Sequence, residues 1–165
     1  MTSERKYGKF YNKKLGMIRG LKEAIIVALV LVIVFSFIVG ISRVSGSSME
    51  PTLHDGQPVF FIRLQKDYSR GDIASVRMPS DDWIVKRIVA VAGDSVDIQG
   101  GTVYINGSPL QDGFGYTEAG EFNSYPLVLQ EGQVFVLGDN REISVDSRAF
   151  GPIASSQTKG RIVLY

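Results

Sequence analysis

Thr102-Val103-Tyr104-Ile105-Asn106-Gly107-Ser108-Pro109-Leu110 decides the fold class of this chain. Four residues rich in β-branched and aromatic side chains run into Asn-Gly, whose two positions both accept positive φ, so the segment reads as a tight hairpin. The same pattern recurs on both sides. Pro58 to Arg63, Asp72 to Met78, Trp83 to Ala92 and Ser95 to Ile98 precede the hairpin; Leu127 to Leu129, Gln133 to Leu137 and Arg161 to Tyr165 follow it. Asp55-Gly56, Arg70-Gly71-Asp72, Gly100-Gly101 and Glu131-Gly132 mark the turns between these runs. No helical periodicity is read after residue 41, and no repeat or low-complexity segment. Residues 42–165 are expected to form one mostly β domain around a single core. Residues 111–125 read as a long polar loop, with Phe114, Tyr116, Phe122 and Tyr125 either packed beneath it or touching lipid headgroups.

Upstream the pattern changes. Ala24 to Ile41 is uncharged, with Phe, Ile, Val and Leu on every side. As a helix it would be about 27 Å long, close to the ~30 Å hydrocarbon thickness of a bilayer. A cleavable secretory leader has a shorter apolar core, about 7–15 residues, ending in a small-x-small site, and Val44-x-Gly46 matches that poorly. The expectation is a basic cytoplasmic segment over 1–22, a transmembrane anchor over 23–41 and an extracytoplasmic domain over 42–165. Charge agrees. Residues 1–22 carry seven Lys/Arg against Glu4 alone, whereas 42–165 carry 11 Lys/Arg against 15 Asp/Glu. A basic arm fused to a span sets topology, here a single-pass cell-membrane protein with a cytoplasmic N-terminus, and no nucleic-acid partner is expected.

Cysteine is absent and His54 is the only histidine. Thiol catalysis, disulfides and multi-histidine metal sites are thereby excluded; no oxygen-ligand cluster is evident, and neither metal nor cofactor is expected.

Three segments carry candidate chemistry. Ser48 lies a few residues beyond the apolar run, within Ser45-Gly46-Ser47-Ser48-Met49-Glu50-Pro51-Thr52-Leu53. A free hydroxyl is a poor nucleophile and needs a base. His54, in Leu53-His54-Asp55-Gly56, reads as a solvated turn residue. Lys86, in Trp83-Ile84-Val85-Lys86-Arg87-Ile88-Val89-Ala90-Val91, is the better base, because a lysine desolvated among apolar residues can lose its charge. By strand alternation it shares a face with Ile84, Ile88 and Ala90, while Arg87 shares the other with Val85, Val89 and Val91. The ordinary alternative is a strand-edge cation whose ammonium reaches water. The third segment runs from Gly138-Asp139-Asn140-Arg141 to Phe150-Gly151-Pro152. If extended, it places Ser144, Asp146 and Arg148 on one side, where the last two can pair and the serine can hydrogen-bond a neutral lysine; alone, it reads as an irregular, solvated polar loop.

Together these segments resemble the bacterial type I signal peptidases, Ser/Lys proteases that cut leader peptides from exported preproteins. Ser48-Met49-x-Pro51-Thr52-Leu53 matches the nucleophile box, Lys86-Arg87-Ile88-Val89-Ala90-Val91-Ala92-Gly93-Asp94 the general-base box, and Gly138-Asp139-Asn140-Arg141 with Ser144-x-Asp146-Ser147-Arg148-x-Phe150-Gly151 the third box. The match runs in order over essentially the whole chain and is similar to the compact, single-anchor, Gram-positive form. The resemblance implies a coiled antiparallel β-sheet domain, Ser48 as nucleophile and Lys86 as general base. Ser144 would orient the amine; Asp146 and Arg148 would hold the site together, with Asp139 and Arg141 in support. Some members carry an oxyanion-hole serine two residues before the nucleophile. Here that residue is Gly46, which leaves the hole to the Ser48 N–H and lets backbone approach the substrate.

The implied substrate is the signal peptide of a secreted preprotein, bound extended beside the nucleophile and lysine segments at the bilayer surface. Small residues at the first and third positions before the cut would enter shallow pockets, for which Val44, Met49, Leu53, Ile84 and Val85 are the candidates. Ser48 is seven residues past Ile41, at most about 25 Å of extended chain, as a leader's cleavage site is a short way past its apolar core. Two other readings compete. One is a membrane-tethered adhesion module using Arg70-Gly71-Asp72; the other is a relative of the self-cleaving Ser/Lys repressors, against which the apolar span argues.

Overall fold

The computed structural model describes residues 3–164 except 66, 79 and 123. Tyr165, the last residue of the expected strand from Arg161, lies outside them, as does Asn123 of the 111–125 loop. The described chain forms two units that divide between Ile38 and Val39.

The first unit is one helix, α1 (Ser3–Ile33), continued by a π-helical turn over Val34–Ile38. Its stretch Lys13–Ile38 is long and apolar enough to cross a membrane. Ile25, Ile26, Val27, Leu29 and Val30 are all exposed, so the helix has no polar face for water and suits lipid instead.

The apolar run outlasts the helix. Val39–Arg43 forms strand β1, so the last three residues of the expected span Ala24–Ile41 belong to the sheet. Gly40 explains the pairing. A Cβ there would sit 2.2 Å from Cζ of Phe61, so only glycine lets the neighbouring strand lay its ring across β1.

The remaining strands are β2 (Pro58–Ile62), β3 (Ile73–Arg77), β4 (Trp83–Val91), β5 (Ser95–Gln99), β6 (Thr102–Ile105), β7 (Ser108–Pro109), β8 (Leu127–Val128), β9 (Gln133–Leu137), β10 (Ile153–Ala154) and β11 (Thr158–Leu164). Every strand expected from the sequence forms, the last of them starting three residues early. β1 and β10 are additional, as is a short helix, α2 (Ser147–Phe150), where no helix was expected. Asp146 creates α2 by capping it: its carboxylate accepts the Arg148 N–H.

All strand pairs are antiparallel. A seven-stranded sheet, ordered β1-β2-β11-β3-β4-β9-β10, curls into a half-barrel, and a four-stranded sheet is ordered β7-β6-β5-β8. The expected hairpin is β6–β7, with Asn106 and Gly107 at φ of 53° and 75°. A cluster of Val89, Ala90, Val96, Ile98, Phe135 and Leu137, among others, ties the two sheets together. Val44, Met49, Leu53, Val59, Phe61 and Val85 belong to a second cluster, and Ala74, Val76, Ile88, Val134 and Val136 to a third.

Strand β4 changes partner along its length, and only Arg87 is paired on both sides. Its residues Arg87 to Val91 pair with β9, but Trp83 to Lys86 pair only with β3. Leu137 is the last residue of β9, opposite Arg87, and Gly138 leads the chain away. The edge of β4 from Trp83 to Lys86 therefore lacks a strand partner among the described residues. A register shift between Ile88 and Ala90 also corrects the simple alternation: Ala90 joins Val89 in the first cluster, while Ile88 stays in the third.

Candidate active site

Ser48 is held by a tight turn after β1. Val44 and Gln57 close the loop by a backbone hydrogen bond (2.9 Å), the Leu53 N–H donates to Met49 O (2.9 Å), and Met49 and Leu53 are wholly buried in the second cluster. These two side chains pin the turn from below, leaving half-buried Ser48 at its surface. Gly46 has φ of 79°, and its N–H donates to Asp55 Oδ1 (2.8 Å). The Asn140 N–H donates to Ser48 O (3.0 Å), joining the turn to the third segment.

Lys86 projects from the β3-paired half of β4 and is only 2% exposed. Its Nζ lies 2.6 Å from Ser48 Oγ. Burial lowers its pKa from 10.5 to about 8; Asp146 pulls it back up, Arg148 pushes it down and Asp139 raises it. At pH 7.5 about a quarter of such amines are neutral, against about one in a thousand for an ordinary lysine. The solvated strand-edge role is thereby removed: the side chain is buried and touches the Ser48 hydroxyl.

Asp146 is fully buried and saturated with donors. It accepts Arg148 Nε and Nη2, each at 2.8 Å, and the Gly138 N–H at 3.0 Å. The pairing expected of an extended segment is made by a cap and the first turn of α2. Ser144 departs from expectation. Its Oγ is buried but has no hydrogen-bond partner, so the expected bond to Lys86 is not formed. It stays close, however: Ser144 Oγ and Ser48 O lie 2.1 and 2.5 Å from where Gly138 would carry a Cβ. Gly138 is required for this close approach.

A second ion pair was not anticipated. Arg87 forks onto Asp139 (Nε–Oδ1 2.7 Å, Nη2–Oδ2 2.6 Å) and donates to Gly71 O (2.8 Å). Arg141 bonds Gly138 O (2.9 Å) and Thr117 Oγ1 (2.8 Å) and pairs with Asp112. Phe114 lies between the two guanidinium groups, 5.1 and 5.5 Å from its ring centre. The 111–125 loop is thus strapped to the third segment. Tyr125 packs beneath it against Phe122 and Phe135, whereas Tyr116 is exposed.

The pocket candidates divide. Val44, Met49, Leu53 and Val85 are buried in the second cluster, and Ile84 is partly buried against the third. His54 is exposed, its Nδ1 3.9 Å from Glu50, away from any role as base to Ser48. Arg70 is bound to Asp94 through Nε (2.8 Å), and Asp72 accepts the Ser69 N–H and faces Arg161. The charges of the Arg70-Gly71-Asp72 turn are paired within the domain. Among the described residues no three His, Asp or Glu side chains converge as a metal site.

Residues 17–165 match the profile of the family described as "Signal peptidase, peptidase S26". The chain is 33% identical to signal peptidase I of Bacillus licheniformis over 163 residues, covering 90% of this chain and 84% of that one. It is 34% identical to signal peptidase IB of Staphylococcus aureus, covering 81% and 80%. Among solved structures, a signal peptidase I of Enterococcus faecalis superposes with a TM-score of 0.52 at 29% identity, over 59% of this chain and 97% of that one.

Proposed function

The chain belongs to the signal peptidase family S26, and from that premise we propose how this particular site removes signal peptides. The chain is a serine peptidase and hydrolase of that family. The reading of its catalytic residues rests on one observation above all: a buried lysine amine 2.6 Å from a serine hydroxyl.

Neutral Lys86 takes the Ser48 proton as Oγ attacks the scissile carbonyl carbon. The carbonyl oxygen becomes an oxyanion and accepts the Ser48 N–H, a donor that has no acceptor among the described residues. The ammonium then gives its proton to the departing amine as the C–N bond breaks, leaving an acyl-enzyme. Lys86 next deprotonates a water that releases the acyl group. Ser144, half-buried beside Gly138 with its hydroxyl oxygen buried and unpartnered, orients the amine once it is charged. Asp146 and Arg148 fix the third segment, and Asp139 with Arg87 ties it to β4.

The substrate adds as an extended strand to the vacant edge of β4 between Trp83 and Lys86. Ile84, the one pocket candidate outside the second cluster with surface to spare, faces the small side chains before the cut. The helix Lys13–Ile38 anchors the enzyme in the cell membrane, with the basic N-terminal segment cytoplasmic and residues 42–165 outside.

The test is cleavage of a synthetic leader peptide by the full chain in detergent. Ser48→Ala and Lys86→Ala should each lose activity by at least about a thousandfold. Full activity in either variant would remove the proposed dyad.

A further inference from the structure

Two cavities open beside the dyad where β9 turns away from β4. One, of about 510 Å³, is walled by Glu50, Phe114, Asn140 and Arg141. The other, of about 450 Å³, is walled by Glu118, Ser144, Val145 and Arg148. Tyr116, Arg141 and Glu142 line both, so the two cavities adjoin and together make a trough. It starts at the nucleophile: Glu50 is two residues past Ser48, and Asn140 donates its N–H to Ser48 O.

The sheet indicates what must pass through it. A leader laid parallel to β4 along its vacant edge reaches Ser48 opposite Lys86, with its carboxyl side directed toward Arg87. It cannot continue as a strand, because from Arg87 onward that edge is taken by β9. The chain beyond the cut therefore leaves the sheet over Gly138 to Ser144, into the trough. We propose that this trough binds the first few residues on the carboxyl side of the cut, with Tyr116 as their platform and its free carboxylates favouring a basic residue there. This rests on the signal-peptide reading and on the leader occupying β4.

Tyr116 is suited to the role. Its ring lies on the backbone of Gly101, where a Cβ would come within 1.9 Å of Cε2, and the Thr117 N–H anchors the loop to Gly101 O (2.8 Å). Yet the residue is 65% exposed, so one face of a fixed ring is open for contact. The charge preference follows from pairing. Arg141 is matched by Asp112, Arg148 by Asp146 and Asp139 by Arg87. Glu118 and Glu142 have no ion-pair partner among the described residues, and Glu50 has only His54 at 3.9 Å. The trough is left net negative.

The experiment uses the full chain in detergent and peptides with one common leader half. The carboxyl side is either a single residue, or four residues that are neutral, carry one lysine, or carry one glutamate. For the wild type, kcat/KM should rise about tenfold from one residue to four, and the lysine peptide should exceed the glutamate peptide by about fivefold. Tyr116→Ala should abolish most of the length gain. Gly101→Ala, whose Cβ displaces the ring, should do the same. Glu142→Gln should narrow the lysine-to-glutamate ratio. Ser48-dependent cleavage that ignores the carboxyl side, or a length gain that survives both Tyr116→Ala and Gly101→Ala, would overturn the trough proposal alone. Cleavage undiminished by Ser48→Ala would instead overturn the peptidase assignment on which it rests.

Discussion

Replacing Lys86 by methionine should inactivate the enzyme and stabilise it at neutral pH. In the unfolded chain the amine holds its proton to about pH 10.5; in the fold it releases it near pH 8. Between these values the unfolded chain binds a proton that the folded chain does not. Stability therefore rises with pH through this window, and the full penalty is present below pH 8. A gap of about 2.5 units corresponds to about 3 kcal/mol. Methionine preserves the apolar stem but removes the charge, and it also loses the contact with Ser48, worth about 1 kcal/mol. The net gain at pH 7 is about 2 kcal/mol. At pH 10.5 the penalty on the wild type shrinks to a few tenths of a kcal/mol, so the gain should vanish or reverse. Urea unfolding of the full chain in detergent, followed by fluorescence of Trp83, the one tryptophan, measures the difference at both pH values. A variant less stable than the wild type at pH 7, or equally ahead at both, would refute a lysine made neutral by burial.

The pH dependence of kcat/KM should show an acid limb centred near pH 8, falling tenfold per unit below it as Lys86 gains its proton, and a profile flat from pH 6 to 9 would contradict this. Gly138→Ala puts a Cβ 2.1 Å from Ser144 Oγ and 2.5 Å from Ser48 O, so peptide cleavage should drop at least about a hundredfold while circular dichroism keeps its β signature. Asp146→Asn strands a buried Arg148 and weakens the cap of α2; unfolding should become easier by about 3 kcal/mol, read as a lower denaturant midpoint.

The strands and turns were legible because their causes are local. Asn106-Gly107 needs no distant partner to specify a hairpin, and alternation within β6 needs only its own residues. What was not legible depends on contacts remote in sequence. Val39-Gly40-Ile41 has the composition of the helix it follows, and it is pairing with β2, whose Phe61 ring packs over Gly40, that makes it a strand. The bulge that moves Ala90 is likewise imposed by β9. In the site, Ser48 and Lys86 were readable as residue types in apolar and turn contexts, but the ordinary alternative for the lysine could be set aside only by its burial. Met49 and Leu53 looked like pocket walls because they flank the nucleophile. In the fold both are wholly buried in the cluster beneath its turn, a depth that spacing does not carry.

Arg87 illustrates the limit most fully, and it bears on how the site works. Alternation sent it to the face opposite Lys86, apparently away from the chemistry, and nothing in the sequence linked it to Asp139, 52 residues on. Yet Asp139 and Asp146 are the two carboxylates that raise the Lys86 pKa. Each is gripped by two donors of one guanidinium: Asp139 by Arg87, Asp146 by Arg148. A free carboxylate beside a buried lysine would hold it as an ammonium, which cannot serve as a base. Arg148 offsets part of what Asp146 adds at the lysine, while burial outweighs both carboxylates and sets the amine near pH 8. The ion pairs hold the two carboxylates in position, and the one to Asp146 also moderates its pull on the proposed base.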